Sequence, residues 1–334
     1  LTQSTPSGRL PATIGVDIGG TRYKICWLGA EGGPRDVISR PTGGHRQVGT
    51  VLAEIAEAIA ETRAAAIHAG HDILAVGVGI PAVLDLQGGR IVLLPNFSGS
   101  WQNFRLAAAL EALVRLPVHI INDARAYTLA ESRLGAGRGV ADLLAITLGT
   151  GVGGGLVLSG ALRFGPNHMA GEFGHITYDP HGARCGCGAR GCIEAYASGS
   201  AIAAAALRPL LQGRMPILRE LIGNEPARLD ADAVARAAAA GEPEAEEIYA
   251  QVAHVLGLGI AHVMKIADIS CVVVGGGVAA AGEVLLSPLR EAVRANSIVF
   301  GAFQPRIVRA EVEQAGAAGA ALWAREETMK GSRA

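Results

Sequence analysis

The sequence predicts an α/β fold divided into two lobes. Apolar runs with strand-like character alternate with stretches whose apolar residues fall at helical spacing, the pattern of an α/β protein. A glycine-tipped hairpin opens the chain, and the same strand, glycine turn and strand return after residue 142. At 334 residues the chain also exceeds what one ordinary hydrophobic core holds.

Residues 12–18 and 22–28 read as strands about the turn Gly19-Gly20-Thr21, with Asp17 at its mouth. Val48, Val51, Leu52, Ile55 and Ile59 lie at helical spacing with Glu54, Glu57 and Glu61 opposite, so that helix has one buried face. Residues 73–80 form a buried strand stopped by Pro81, and 105–115 form a helix. A strand over 118–121 then stops at Asn122-Asp123, where an alanine-rich helix begins. The second lobe repeats the opening with strands over 142–148 and 156–158. Helices are expected over 200–211, 230–240 and 244–266, a strand over 269–274 ending in Gly275-Gly276-Gly277, and helices over 285–295 and 314–327. The expected division is 1–121 with 314–334 as a small lobe, and 122–313 as a large one.

Half of the residues are hydrophobic, 18% are charged and the net charge is −1, which argues against a nucleic-acid or membrane-surface partner held by bulk electrostatics. Lysine stands only at 24, 265 and 330, a bias with no functional reading. Residues 1–11 lack the apolar segment of a signal peptide, and no apolar run reads as long enough to cross a bilayer, so a cytoplasmic protein is expected. Cys26 and Cys271 lie in apolar runs and read as core residues.

The chemistry concentrates between Leu148 and Glu194. A glycine turn there, Gly149-Thr150-Gly151, leaves backbone N–H groups facing outward and admits an anion closely because Cβ atoms are missing. His175 with Cys185, Cys187 and Cys192 can close a tetrahedral zinc site in a loop over 175–194. Four protein ligands leave no open position, so the metal would be structural. Loose thiols in a glycine-rich loop are the plainer alternative. Glu172 and Glu194 are tied to the cluster by their places in the chain.

Each motif also has a plainer reading. Asp17-Ile18-Gly19-Gly20-Thr21 suits a tight hairpin turn, but its echo at 149–155 suggests two hairpins clamping one polyphosphate, with Thr21 and Thr150 as added donors. Gly149, Gly151 and Gly154 match the spacing of a dinucleotide fingerprint, yet a strand-like run follows where that motif needs a helix. No Walker-type lysine loop is present. Asp123, taken alone, reads best as a helix cap, and its functional reading is a general base for phosphoryl transfer. Asn96-Phe97-Ser98 matches a glycosylation sequon, without weight in a cytoplasmic protein.

Together, Asp17-Ile18-Gly19-Gly20-Thr21, Asn122-Asp123, Leu148-Gly149-Thr150-Gly151, the Gly171–His175 motif and the Cys185–Glu194 motif resemble the ROK family of bacterial sugar kinases and repressors, in order and over nearly the whole chain. The resemblance implies the actin-like ATPase (ribonuclease H-like) fold, two lobes with an active-site cleft between them, and homodimers or dimers of dimers. It implies ATP, Mg²⁺ and structural Zn²⁺ as cofactors and a hexose as substrate, with D-glucose phosphorylated at the 6-hydroxyl as the leading expectation. N-acetylmannosamine, mannose, fructose, allose and N-acetylglucosamine stand behind it.

By the same resemblance Asp123 is the base and Asp17 the carboxylate near magnesium. Gly19, Gly20, Thr21, Gly149, Thr150 and Gly151 form the phosphate loops, and Gly275, Gly276 and Gly277 the adenosine site. Asn96, Asn122, Asp123, Glu172, His175 and Glu194 meet the sugar, while His175, Cys185, Cys187 and Cys192 hold zinc. Three departures touch the expected sugar site: His168 in place of a small residue, Ala82 in place of a glycine, and a longer gap from Asn96 to Trp101. A catalytically silent sugar sensor is the other class implied, because the family includes repressors. Those carry a winged-helix domain in front, for which the residues before the first strand are too few.

Overall fold

The computed structural model describes residues 8–94, 97 and 99–331. The chain divides into two compact units, residues 1–138 with 311–334 and residues 139–310. The first unit therefore runs past the expected boundary at 121. The physical reason is packing: the helix that begins at Asp123 lies against the helix Ala315–Gly331.

The first unit contains β1 (Leu10–Ile18), β2 (Arg22–Leu28), β3 (Arg35–Pro41), α1 (Val48–His68), β4 (His71–Ile80), the short hairpin β5 (Val83–Asp85) and β6 (Arg90–Leu93), α2 (Leu106–Val114), β7 (Val118–Asn122) and α3 (Asp123–Leu134). Its main sheet has the order β3-β2-β1-β4-β7. β1, β2 and β3 pair antiparallel, while β1–β4 and β4–β7 pair parallel. The apolar face of α1, Val51, Leu52, Ile55 and Ile59, is buried against Ile14, Ile25 and Trp27, as its spacing requires. β3 is half-exposed and escapes a reading that looks for buried alternation.

Helix Ala315–Gly331 approaches the sheet backbone to backbone. A Cβ on Gly15 would fall on the Ala317 carbonyl oxygen, one on Gly77 on that of Ala320, and one on Gly319 on that of Ala126 in α3. Glycines on both sides, with Ala317, Ala320 and Ala321 between them, make this approach possible. At the other end of α3, the fully buried carboxylate of Glu131 accepts the N–H groups of Ala136, Glu311 and Val312 at 3.1, 3.1 and 2.8 Å. One side chain thereby satisfies backbone donors at both places where the chain crosses the unit boundary.

The second unit contains β8 (Leu143–Leu148), β9 (Val152–Leu158), β10 (Ala161–Arg163), α4 (Glu194–Ala197), α5 (Gly199–Leu211), α6 (Pro216–Leu221), α7 (Ala231–Ala239), α8 (Pro243–Ala267), β11 (Cys271–Gly275), α9 (Glu283–Ala295) and β12 (Arg306–Arg309). Its sheet order is β10-β9-β8-β11-β12, antiparallel over the first three strands and parallel over the rest. Strand order and sense repeat those of the first unit, and this is the recurrence that the two hairpins predict. α8 is long and apolar enough to cross a membrane by length and composition, against the expectation from sequence. It is a core helix, however, with Tyr249, Val252, Val255, Leu256 and Ile260 buried. Cys26 and Cys271 are buried core residues as expected.

The close helix approach gives a direct test. Gly77→Ala should destabilise the protein by roughly 2 kcal/mol or more, because the added methyl group meets a backbone carbonyl that cannot rotate away. Urea unfolding followed by circular dichroism measures it.

Candidate active site and metal centre

In the first unit, the parallel pairing of β1, β4 and β7 sets two carboxylates at one end of the sheet. Asp17 on β1 pairs with Gly79 on β4, and Ile80 pairs with Asn122 on β7, one residue before Asp123. The two aspartates thus stand two strands apart, roughly 10 Å between backbones. Gly79 between them has no side chain to screen one from the other. Burial first, and then the charge of Asp123, push the Asp17 carboxyl up to about 7, with Lys24, its cross-strand partner, pulling it down. Gly316 at the start of helix Ala315–Gly331 lies against Asp17: its missing Cβ would crowd the carboxylate.

Asn122 caps α3. Its Oδ1 accepts the N–H groups of Ala124 and Arg125 at 3.1 and 3.3 Å, and its Nδ2 reaches the Ala82 carbonyl at 3.5 Å. The capping role that Asp123 could have filled therefore belongs to its neighbour. Asp123 is the first helical residue, its Oδ1 accepting the Ala124 N–H at 2.8 Å. Arg125, 2% exposed, adds a bond from its Nη1 to Asn122 Oδ1 at 3.2 Å, a buried cation that sequence reading missed.

The Gly19-Gly20-Thr21 turn closes with Gly19 N–H on the Arg22 carbonyl at 3.0 Å. A second loop lies beside it, Thr42 N–H bonding the Thr21 carbonyl at 2.8 Å and Gly44 N–H the Gly20 carbonyl at 3.0 Å. Phe97 rests against Gly20 and Gly44, edge-on to Trp101 at 5.0 Å. Neither this loop nor Phe97 carried a sequence signal of function. Asn96 lies outside the described residues.

In the second unit, Gly149-Thr150-Gly151 joins antiparallel strands β8 and β9, so the dinucleotide reading of these glycines fails on topology. Besides the bond from Gly149 N–H to the Gly151 carbonyl at 2.9 Å, three contacts from outside hold the turn. Gly199 N–H bonds the Gly149 carbonyl at 2.8 Å, Ser200 Oγ donates to the Thr150 carbonyl at 3.0 Å, and Val152 N–H donates to Glu194 Oε2 at 3.0 Å. Among the described residues, the Thr150 and Gly151 N–H groups have no protein acceptor. β11 runs parallel beside β8, which brings Gly275, Gly276 and Gly277 to the same sheet end. Gly276 has φ +84°, and a Cβ there would strike the Leu148 carbonyl, so only glycine fits.

The later glycines of the motif do different work. Gly154 lies in β9, where a Cβ would press on Phe173 at 2.7 Å and on the Gly171 carbonyl at 2.8 Å. Their absence admits the 171–174 segment against the strand and so places Glu172 and His175 beside β9.

The side chains of His175, Cys185, Cys187 and Cys192 converge, their ligand atoms lying within 4.8 Å of one another. Cys187 Sγ and Cys192 Sγ are 3.7 Å apart, far beyond a disulfide bond and close to the edge of a tetrahedron of thiolates, about 3.8 Å for ligands ~2.3 Å from zinc. This donor set fits a metal ion. Cys185 Sγ faces His175 Nδ1 at 3.9 Å, while His175 Nε2 lies 3.9 Å from Glu172 Oε2 on the other side of the ring. Burial pushes the Cys185 thiol up to about 12 and raises Cys192. A backbone N–H at Ala189 lowers Cys187, the only one of the three that is exposed.

Residues 13–327 match the model of the ROK family. The chain belongs to the ROK family. It is 36% identical over 319 residues to the glucokinase of Streptomyces coelicolor, covering 94% of this chain and 98% of that one. The N-acetylmannosamine kinase of Shigella boydii is 38% identical over 266 residues, covering 80% and 83%. A ROK family glucokinase from Streptomyces griseus, solved in complex with glucose and AMPPNP, superposes with a TM-score of 0.81 at 35% identity, covering 94% of this chain and 99% of that one. The fold of this ROK protein is the actin-like ATPase fold expected from the resemblance.

His168 has φ +55°, in the left-handed region where histidine is among the better tolerated side chains, and its ring meets Phe164 edge-on at 6.2 Å. Ala82 is buried and offers its carbonyl to Asn122.

Two tests follow from the geometry. Cys187→Ser should release the metal and lower the melting temperature by roughly 5 °C or more, since metal-binding free energy is folding free energy. Metal analysis alongside a thermal melt checks both. For Asp17, the folded protein binds the proton more tightly than the unfolded chain. Its contribution to stability is therefore complete below the ordinary value of 3.8 and fades as pH rises through about 7. Asp17→Asn should leave stability near pH 4 unchanged and raise it by ~1 kcal/mol or more at pH 8, read by denaturation at the two pH values.

Proposed function

We propose that this ROK protein transfers the γ-phosphoryl group of ATP to a hexose hydroxyl, with D-glucose as the substrate and its 6-hydroxyl as the acceptor. The observation that carries the reading is the placement of Asp123 at the carboxyl end of β7, across side-chain-less Gly79 from Asp17, in a chain 36% identical to a glucokinase over 94% of its length.

In this reading Asp123 takes the proton of the attacking hydroxyl, while α3, capped by Asn122, fixes the direction of its carboxylate. The N–H groups of Thr150 and Gly151 receive phosphate oxygens, and the glycine turn at 19–21 is a second phosphate loop. Gly275, Gly276 and Gly277 border the adenosine. Asp17, whose proton affinity is raised by burial and then by the charge of Asp123, would suit a neighbouring divalent cation such as Mg²⁺, which would supply positive charge beside the transferring phosphate.

Asn96, Glu172, His175 and Glu194 complete the sugar's partners, and a metal held by the cluster would fix the orientation of the His175 ring, whose Nδ1 lies 3.9 Å from Cys185 Sγ. We take that metal to be Zn²⁺, which three thiols and an imidazole favour, in a closed structural site. Carboxylates and amides pair adjacent hydroxyls and reject an epimer whose misplaced hydroxyl leaves them unsatisfied. A second reading, phosphorylation of N-acetylmannosamine, is favoured by the 38% identity to a kinase of that sugar.

Asp123→Ala should lower kcat by roughly 10²- to 10⁴-fold with the protein still folded, measured by ADP release, and near-normal turnover would remove Asp123 from the mechanism. Comparison of kcat/KM across glucose, mannose, fructose, allose, N-acetylmannosamine and N-acetylglucosamine tests the substrate. Glucose should stand highest, and a clear lead for another sugar would replace glucose while retaining the kinase. No ADP release with any of them would support a silent sensor.

A further inference from the structure

We infer that Glu194 is a positioning residue for the glycine hairpin at 149–152, and that through it the metal-binding loop sets nucleotide affinity as well as sugar affinity. This rests on the reading above in which the hairpin receives nucleotide phosphates.

The geometry is specific. Glu194 Oε2 accepts the Val152 N–H at 3.0 Å, while Oε1 lies 3.3 Å from Cys185 Sγ. One carboxylate thus touches the turn and a ligand of the metal cluster. Its backbone is equally placed: Glu194 begins α4 two residues after Cys192, and the intervening Ile193 is buried, its N–H bonding the Ile176 carbonyl at 3.0 Å. A metal that fixes Cys185 and Cys192 therefore fixes where the Glu194 carboxylate can reach.

The turn is shaped to receive that carboxylate. A Cβ on Gly151 would overlap Glu194 Oε2, so glycine at 151 serves the approach of Glu194. The other two restraints on the turn, from Gly199 and Ser200, grip the carbonyls of Gly149 and Thr150. Glu194 alone of the three holds an N–H on the outgoing strand, and a charge-assisted bond of this kind is among the stronger ones available to a backbone donor. Removing it leaves Val152 N–H without its acceptor and the Thr150 and Gly151 donors less firmly aimed.

The test separates a carboxylate that serves only sugar from one that positions the hairpin. AMPPNP binding with Mg²⁺ is measured by calorimetry in the absence of sugar, on zinc-loaded protein and on protein stripped by chelation and desalted. Glu194→Ala should weaken AMPPNP about tenfold, and Glu194→Gln, whose amide oxygen still accepts the Val152 N–H, should recover most of the loss. Stripping should weaken AMPPNP binding to the wild type by a similar factor and add little in Glu194→Ala. Gly151→Ala should weaken AMPPNP binding in the wild type, because the added Cβ displaces the Glu194 carboxylate.

AMPPNP affinity within twofold of the wild type in Glu194→Ala would overturn the proposal even if glucose affinity is lost, as would full additivity of stripping with that substitution. Wild-type protein with no measurable AMPPNP affinity would instead overturn the nucleotide reading of the hairpin, and this inference with it. Glu194→Gln keeps the question answerable should Glu194→Ala not fold.

Discussion

The contact on which the first unit depends is the backbone-to-backbone approach of helix Ala315–Gly331 to the sheet. Gly15 and Gly77 clear the central strands, and Gly319 clears α3, so carbonyl and Cα atoms meet where side chains would ordinarily stand between them. This packing fixes strand positions closely, because backbone atoms have no rotamers through which to yield. β1 and β4 are held from one face by this helix and from the other by α1. The same helix begins against Asp17, so the contact that stabilises the unit also surrounds its most perturbed carboxyl group.

A carboxyl that is expensive to ionise is a poor structural choice and a useful functional one. Burial and the neighbouring Asp123 both disfavour charge on Asp17, and Lys24 alone is set against them among the described residues. Such an arrangement favours a cation in the vicinity, and it lies at the carboxyl ends of parallel strands, where α/β sheets bind ligands. The sheet of the second unit repeats the strand order and again places a glycine turn after its first strand. The repetition is one of backbone path and not of side chains: Gly19-Gly20-Thr21 and Gly149-Thr150-Gly151 share little beyond small size and a hydroxyl.

The metal loop shows a different kind of constraint. It contains few apolar residues to bury, and its tight turns at Gly188 and Gly191, with φ +93° and +70°, draw the backbone into a path that hydrophobic packing alone would not hold. A metal ion held by His175, Cys185, Cys187 and Cys192 would supply that hold and orient the imidazole, whose far nitrogen faces Glu172. Rigid placement of hydrogen-bonding side chains is what discrimination between sugars requires, because misplaced hydroxyls are rejected only by partners that cannot move to meet them.

Much of this was determined by sequence alone. The buried strands, the amphipathic α1 and the long helices follow from apolar spacing, and the convergence of His175, Cys185, Cys187 and Cys192 follows from residue types whose chemistry has few other uses at such close spacing. The half-exposed β3, the short β10 and β12, and α6 left no such pattern, because edge strands and short helices draw their stability from neighbours and not from their own periodicity. What only the tertiary structure decided was which member of each motif does what. Asn122, and not Asp123, caps α3; Gly154 clears a path for Phe173, while Gly151 clears one for Glu194; and the first unit continues through α3 because a helix nearly two hundred residues away packs on it. In each case the deciding partner is distant in sequence, and a residue's own type and spacing carry no information about which distant backbone will come within reach.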